Sequence, residues 1–195
     1  MIPGRLKPVK DRILAYFKAG EFEKAIKILN SSAILLEASD IQPVLADCER
    51  MAAEALLRSD FIEARQRYHR REGLLALLNG GFDPKKLIPP VQMPEIYRGK
   101  ILLVSIFGGV VDEVVCLRSN DVHHQDILRN TELAIQDLGL HGSQVRELGG
   151  ASINCEPDGS VIIWGGSDEF GACDKHFAAM LIRLAYPNKT IAIQD

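Results

Sequence analysis

The chain has 195 residues, of which 47% are hydrophobic and 25% are charged. This balance is typical of a globular protein with a buried core and excludes wholesale disorder. The formal net charge is −3, which argues against non-specific binding to nucleic acid. A chain of this length forms one domain or two small ones.

Apolar runs without charge are short throughout the chain. Residues 101–111 form one of the longest, well below the ~20 residues that a membrane-spanning helix needs. The first ten residues lack the apolar segment of a secretory signal, and the acidic residues Asp11, Glu21 and Glu23 are atypical of a transit peptide. We therefore expect a cytoplasmic protein without a membrane partner, and leave association with an organelle or large assembly open.

The cysteines are widely scattered, and no two of them form a C-x-x-C pair. They are Cys48, Cys116, Cys155 and Cys173. This spacing predicts reduced, mostly buried thiols rather than a metal or redox site. We expect neither a metal nor another cofactor.

Helical periodicity dominates the first half of the chain, where apolar residues recur at helical spacing in four segments. Gly20 separates the first two helices, and Pro43 is predicted in the first turn of the third. Asp60 and Glu63 predict a capping box at the start of the fourth helix. We therefore predict a four-helix module over residues 1–79.

Two of these helices begin with the same pattern. Phe22-x-x-Ala25 and Phe61-x-x-Ala64 lie 39 residues apart, close to the period of tandem helical hairpins. The module thus resembles a pair of tetratricopeptide-like hairpins. This resemblance implies protein partners that bind the N-terminal helices.

Four arginines lie on the predicted fourth helix: Arg65, Arg67, Arg70 and Arg71. One interpretation is a basic face that binds an acidic partner or RNA. The other, which Glu63 and Glu72 favour, is an ordinary solvated helix face.

Residues 80–96 are rich in glycine and proline, so we predict an extended linker there. Strand-like runs follow the linker, and Gly108-Gly109 predicts a hairpin turn between the first two. We predict strands over residues 100–107, 110–117, 144–147, 151–155, 160–164 and 190–194. We predict one helix that Asn120 or Asp121 caps and Gly139 ends, and a second over 173–185.

Residues 97–195 therefore read as a compact α/β domain in which strands outnumber helices. Its charge differs from that of the helical half: residues 1–95 have a net charge of +2 and residues 96–195 a net charge of −5. We predict two domains joined by the linker.

His124 lies where the first turn of the predicted helix begins. Free backbone N–H groups and the positive end of the helix dipole form an anion site there. An imidazole can attack phosphorus or act as an acid or base near neutral pH. A histidine at such a position is also commonly a plain surface residue. The His123-His124 pair is a poor metal chelate, because adjacent helical side chains diverge.

A second candidate feature is the glycine-rich segment around Ser167, with Gly165, Gly166 and Gly171. Backbone amides and a hydroxyl in such a loop can bind an anion. Alternatively, the glycines supply only the positive φ of a tight turn. The residues alone leave both interpretations open.

The motifs of the second half occur in a characteristic order over residues 98–195. They are His124-x-Asp126-Ile127, Gly139, Leu148-Gly149-Gly150 with Ile153, Gly166-Ser167-x-x-Phe170-Gly171, and Tyr186-Pro187. In order and spacing this half resembles the Janus/phosphohistidine phosphatase family.

The resemblance implies specific roles. His124 would be the catalytic residue, and Lys100 and Ser167 would hold the substrate phosphate. The backbone amides of Gln125 and Glu169 would bind the same phosphate. The implied substrate is a phosphohistidine protein.

The sequence also departs from the family pattern. Cys116 and Ser152 stand where the family has two arginines, and Arg118 lies two residues beyond the first as a substitute. Asp168 and Glu169 follow the serine, where the family has small or apolar residues. Both changes lower the positive charge that a phosphate would meet.

The loop between the first two strands is also reduced to the two glycines 108 and 109, which removes part of the family's pocket wall. Two functions follow from the matches and departures. The first is a non-catalytic or weakly catalytic interaction subunit of a larger assembly. The alternative is an active, metal-independent phosphatase for phosphohistidine or phospholysine that uses His124.

Overall fold

The four apolar helical segments of the first half form four helices in the computed structural model, which describes residues 6–119 and 122–194. The helices are α1 (Leu6–Ala19), α2 (Phe22–Ser31), α3 (Ala38–Leu57) and α4 (Phe61–Asn79). A short 3-10 turn follows at Pro84–Lys86, within the segment predicted as a linker.

The second half alternates strands with two helices. These elements are β1 (Val91–Gln92), β2 (Tyr97–Gly108), β3 (Val111–Arg118), α5 (His124–Asp137), β4 (Gln144–Cys155), β5 (Ser160–Trp164), α6 (Lys175–Ala185) and β6 (Thr190–Ile193). The predicted α/β class, with helices first and the sheet second, is confirmed. No helix among these elements is both long and apolar enough to cross a membrane.

Local sequence accounts for two of the helix boundaries in the first half. Gly20 adopts a φ of 78° between α1 and α2, as a left-handed turn residue does. The Asp60 side chain accepts a hydrogen bond from the Glu63 amide at 3.0 Å and caps α4. The second half of the predicted capping box is wrong, because the Glu63 carboxylate binds Arg58 and Arg67 instead.

The predicted position of Pro43 in the first turn of α3 is also wrong. The helix starts at Ala38, and Pro43 lies inside it. The Asp40 carboxylate accepts a hydrogen bond from the Glu37 amide at 2.8 Å, so a cap upstream of the proline begins the helix earlier.

The strands form one six-stranded mixed sheet in the order β1-β3-β2-β4-β5-β6. The two edge pairs, β1 with β3 and β5 with β6, are parallel, and the inner pairs are antiparallel. Gly108 and Gly109 both adopt positive φ at the turn between β2 and β3, which confirms the predicted hairpin.

One continuous strand, β4, replaces the two strands predicted over residues 144–155. Leu148-Gly149-Gly150 lies within it, and its pairing with β2 shifts register between Leu102 and Val104. Gly149 has a φ of 105° at this point. The glycine pair therefore makes a bulge that lets the strand continue instead of ending it.

Successive side chains of β2 point to opposite faces of the sheet, and both faces are buried. One face packs against α6 through Ile101, Leu103, Ile153, Ala178 and Ile182 among others. Leu102, Val104 and Ile106 are buried on the opposite face. Gly139, with a φ of 66°, ends α5 as predicted, whereas the predicted caps Asn120 and Asp121 lie outside the described residues.

Contacts group the chain into two compact units. One comprises Met1–Ile88 with Ala134–Ser143, and the other comprises Pro89–Leu133 with Gln144–Asp195. Within the first unit, the Leu138 carbonyl accepts a hydrogen bond from the Phe22 amide at 2.9 Å. The domain boundaries inferred from the sequence stay a prediction.

Candidate functional site

The His124 side chain is the centre of the candidate site. His124 is the first residue of α5 and is only 6% exposed. Its ring lies directly against β4, since a Cβ atom on Gly150 would come within 2.5 Å of the ring atoms Cδ2 and Nε2. Glycine at this position therefore makes room for the ring.

A backbone carbonyl orients the ring. His124 Nε2 lies 3.2 Å from the carbonyl oxygen of Ala151. Because a carbonyl only accepts hydrogen bonds, Nε2 carries the proton in this contact. In the neutral ring Nδ1 then carries the lone pair, which is the electron pair that a base or nucleophile uses.

Strand register places Lys100 on the same face of the sheet. Lys100 pairs with Ser152, two residues beyond Gly150 on β4, and residues two apart share a face. The Lys100 ammonium donates a hydrogen bond to Ser152 Oγ at 3.3 Å. A half-buried cation thus lies on the His124 side of the sheet.

Arg118 belongs to the same face by the same reasoning. It pairs with Leu102, and Leu102 pairs with Gly150, so the three residues form one row across β3, β2 and β4. Arg118 is 5% exposed and donates from Nη1 to the carbonyl of Leu117 at 2.9 Å. Burial lowers the pKa of its guanidinium, and no carboxylate in the described part of the chain pairs with it.

Ser167 organises the glycine-rich loop. Its Oγ accepts hydrogen bonds from the amides of Glu169 and Phe170 at 3.3 and 3.2 Å. The amide of Gly150 donates to the carbonyl of Gly171 at 3.0 Å. These bonds fasten the loop to the strand on which the His124 ring rests, so Ser167 has at least the structural role of a tight turn.

The two carboxylates after Ser167 are on the surface. Asp168 and Glu169 are exposed, and neither has an ion-pair partner among residues 6–119 and 122–194. Gln125, in the first turn of α5, is exposed as well. Its backbone amide belongs to the group of N–H donors that a helix leaves free at its start.

Sequence reasoning missed two parts of the site, the packing of Gly150 against the ring and the carbonyl of Ala151. The only local signal was the glycine pair itself, which was interpreted as a break between strands. The lack of a side chain at Gly150 matters only because the His124 ring of α5 packs into the space that it leaves. The contact therefore depends on how α5 packs on β4.

The four cysteines, Cys48, Cys116, Cys155 and Cys173, are free and buried, as the sequence predicted. Burial raises the pKa of each, for Cys173 to about 11. Within the described segments, no three His, Cys, Asp or Glu side chains come together as metal ligands would.

Comparison with known proteins identifies the family to which the second half of the chain is similar. A search among curated proteins found no match. The model of the Janus/Ocnus family (Ocnus) matches residues 86–190, which is more than half of the chain and includes His124, Lys100, Arg118 and the Ser167 loop. From this match and the sheet that carries these residues, we conclude that the chain belongs to the Janus/Ocnus family.

Proposed function

We propose that the chain is a phosphohistidine phosphatase-like protein that binds a phosphorylated protein partner with little or no turnover. In this proposal it works as an interaction subunit of a larger assembly. The observation that carries the proposal is the charge around His124: the described cations Lys100 and Arg118 are both hydrogen-bonded within the protein, and the loop with the exposed Asp168 and Glu169 is hydrogen-bonded to Gly150.

The cations of the site have limited freedom. The Lys100 ammonium is hydrogen-bonded to Ser152, which stands where the resemblance to the phosphatases calls for an arginine. The Arg118 guanidinium is buried and bonded to its own strand through Leu117. Catalysis of phosphoryl transfer relies on cations and amides that already point at the transferring group. Lys100 and Arg118 are both engaged elsewhere, so they stabilise such a group less well than free cations would.

Asp168 and Glu169 act in the opposite direction. Their loop is hydrogen-bonded to Gly150, against which the His124 ring lies. At an effective dielectric constant of about 20, two unit charges about 4 Å apart interact by about 4 kcal/mol. Both carboxylates are exposed, so solvent and salt reduce this repulsion, and it weakens the binding of a phosphate without preventing it.

The helical module offers a surface for protein contacts. Large apolar side chains are exposed at the end of α3 and the start of α4: Leu56, Leu57, Phe61 and Ile62. Leu57 is 88% exposed and Phe61 is 69% exposed. Clusters of this kind commonly mark interaction sites on soluble proteins, which supports the role of an interaction subunit.

The catalytic part of the proposal is tested by binding and turnover of a phosphohistidine protein. We expect the wild type to bind the phosphorylated protein in preference to the unphosphorylated form and to release little phosphate. Ser152→Arg adds a cation beside Lys100 and is expected to raise phosphate release about tenfold or more. Adding His124→Ala to that variant should abolish the gain.

An active phosphatase is the alternative, and the orientation of His124 favours it. With Nε2 held by the Ala151 carbonyl, Nδ1 presents its lone pair as a nucleophile or base would. Rapid phosphate release by the wild type that His124→Ala eliminates would establish this alternative. Equal binding of both protein forms would contradict the two proposals alike.

The assembly part is tested by size-exclusion chromatography of the chain from its native source. We expect elution with a larger complex, and conversion to a monomer when Leu57→Ser and Phe61→Ser are combined. Leu184→Ser is the matched control, because Leu184 is 69% exposed on α6. Elution of the wild type as a monomer would contradict this role.

A further inference from the structure

Two of the four arginines on α4 have strong carboxylate partners. Arg65 donates from Nε and Nη2 to the carboxylate of Asp137 at 2.9 and 3.3 Å. Arg71 donates to Glu49 at 2.8 Å and to Glu72 at 2.5 Å. Their charges are thus compensated within the protein.

Arg67 and Arg70 are different. Arg67 reaches Glu63 only through Nη2, at 3.3 Å, and its Nε is buried without a hydrogen-bond partner in the described structure. Arg70 has no carboxylate partner among the described residues, and its Nε lies 3.5 Å from the carbonyl oxygen of Asp137. Residues three apart lie on the same side of a helix, and the charge of Arg67 acts on the Arg70 guanidinium, so the two side chains are neighbours on α4.

The carboxylates near Arg67 and Arg70 already bind other cations. Glu63 binds Arg58 at 2.9 Å, and Asp137 binds Arg65 and His69. Burial, together with the charge of Arg67, lowers the pKa of the Arg70 guanidinium. The nearby Cys48 thiol does not supply a negative charge, because burial raises its pKa.

An excess of half-buried positive charge is unfavourable unless an anion neutralises it. A buried donor without a partner is also the usual mark of a water or ion that belongs at that place. The Arg67 side chain is 16% exposed, and Arg70 is half-buried with its guanidinium packed against Gly20, so the pair is sheltered but not fully buried.

We propose that Arg67 and Arg70 form a second binding site, for a dianionic oxyanion such as a phosphate group. Two planar guanidinium groups match the oxygens of a phosphate and balance its two charges. Glu63 contacts Arg67, and Glu49 and Glu72 contact the neighbouring Arg71. These carboxylates would repel a nucleic-acid backbone with its many phosphates. A single phosphate group therefore fits this site better than RNA.

Isothermal titration of the full chain with inorganic phosphate, at ionic strength matched with sodium chloride, tests the proposal. We expect saturable binding in the wild type and a loss of affinity of about tenfold or more in both Arg67→Gln and Arg70→Gln. Arg50→Gln is the matched control, because Arg50 is exposed and paired with Asp47 and Glu54. It should bind phosphate like the wild type.

His124→Gln separates this site from the one at α5. Phosphate binding that survives His124→Gln and is lost in Arg67→Gln supports the proposal, whatever the activity at His124. No saturable binding in the wild type, or binding lost only with His124→Gln, overturns it. If a glutamine variant fails to fold, Arg70→Lys, which keeps the charge but loses the planar fork, should weaken binding as well.

A competition experiment distinguishes the two sources of the phosphate group. A peptide with one phosphoserine is added to the phosphate-saturated protein, with the unphosphorylated peptide as its control. Displacement by the phosphopeptide alone assigns the site to a phosphorylated protein partner. Absence of displacement assigns it to free phosphate.

Discussion

A Cβ atom at Gly150 would lie 2.5 Å from the His124 ring, and the same ring donates through Nε2 to the Ala151 carbonyl. Neither contact follows from the identity of His124, which its position at a helix start and the family resemblance singled out. At this scale, a residue's neighbours decide which of its nitrogens is available for chemistry.

The Gly150→Ala substitution should displace the ring and break its bond to the Ala151 carbonyl. We expect the proportion of His124 with the proton on Nε2 to fall, and affinity for a phosphohistidine protein to drop by about tenfold to a hundredfold. Nitrogen-15 NMR of the histidine ring measures the tautomer directly. Ile153→Val, which faces the other side of β4, is the control, and an unchanged tautomer in Gly150→Ala would contradict the assignment.

Asp137 is the second residue whose importance depends on its partners. Its carboxylate is 5% exposed and binds both Arg65 and His69. Asp137→Asn leaves a guanidinium without its counter-charge, so we expect a loss of about 2–4 kcal/mol in the free energy of unfolding.

Asp47→Asn provides the comparison for Asp137, because the Asp47 carboxylate binds Lys18 and Arg50 on the surface. An exposed pair of this kind contributes about 1 kcal/mol or less. Urea unfolding measures both variants, and equal losses would show that burial of the Asp137 pair has no special effect.

Among the elements, helices were easier to predict than the ends of strands. The spacing of apolar residues located all four N-terminal helices, because a helix face is set by neighbours three and four positions apart. The start of α3 was missed, since the cap at Glu37 overrides the usual position of proline. Glycine signals a bulge as readily as a turn, so β4 was divided in two.

The cap of α6 gives a prediction for one element. Asp174 Oδ1 accepts a hydrogen bond from the Phe177 amide at 2.9 Å. Asp174→Ala should lower the free energy of unfolding by about 1 kcal/mol, the usual contribution of an N-cap. Asp11→Ala, at an exposed position inside α1, should change it by less than about 0.5 kcal/mol, and similar losses in both would argue against the cap.

At the scale of the whole molecule, the first unit is built from two separate stretches of chain. Ala134–Ser143 joins Met1–Ile88 and supplies Asp137 to Arg65, the Leu138 carbonyl to Phe22 and the Gly142 amide to Glu23. The local sequence pattern of neither stretch predicts this association.

A fragment of residues 1–88 should therefore be less stable than the same fragment joined by a flexible linker to residues 134–143. The added segment restores a half-buried ion pair and two hydrogen bonds, and we expect a higher thermal midpoint by several degrees. Circular dichroism during heating measures both. Equal midpoints would show that the helices need no contribution from the second stretch.

The amino-acid sequence alone determined the helical half, the strand-rich half, the hairpin at Gly108-Gly109 and the choice of His124, Lys100 and Ser167 as candidates. Only the tertiary structure decided that Lys100 and Arg118 share a face with the His124 ring, and that Asp137 belongs with α4. The physical reason is the distance along the chain between the residues that interact. Periodicity and capping depend on residues a few positions apart, whereas strand register and the packing of α5 depend on contacts between residues dozens of positions apart.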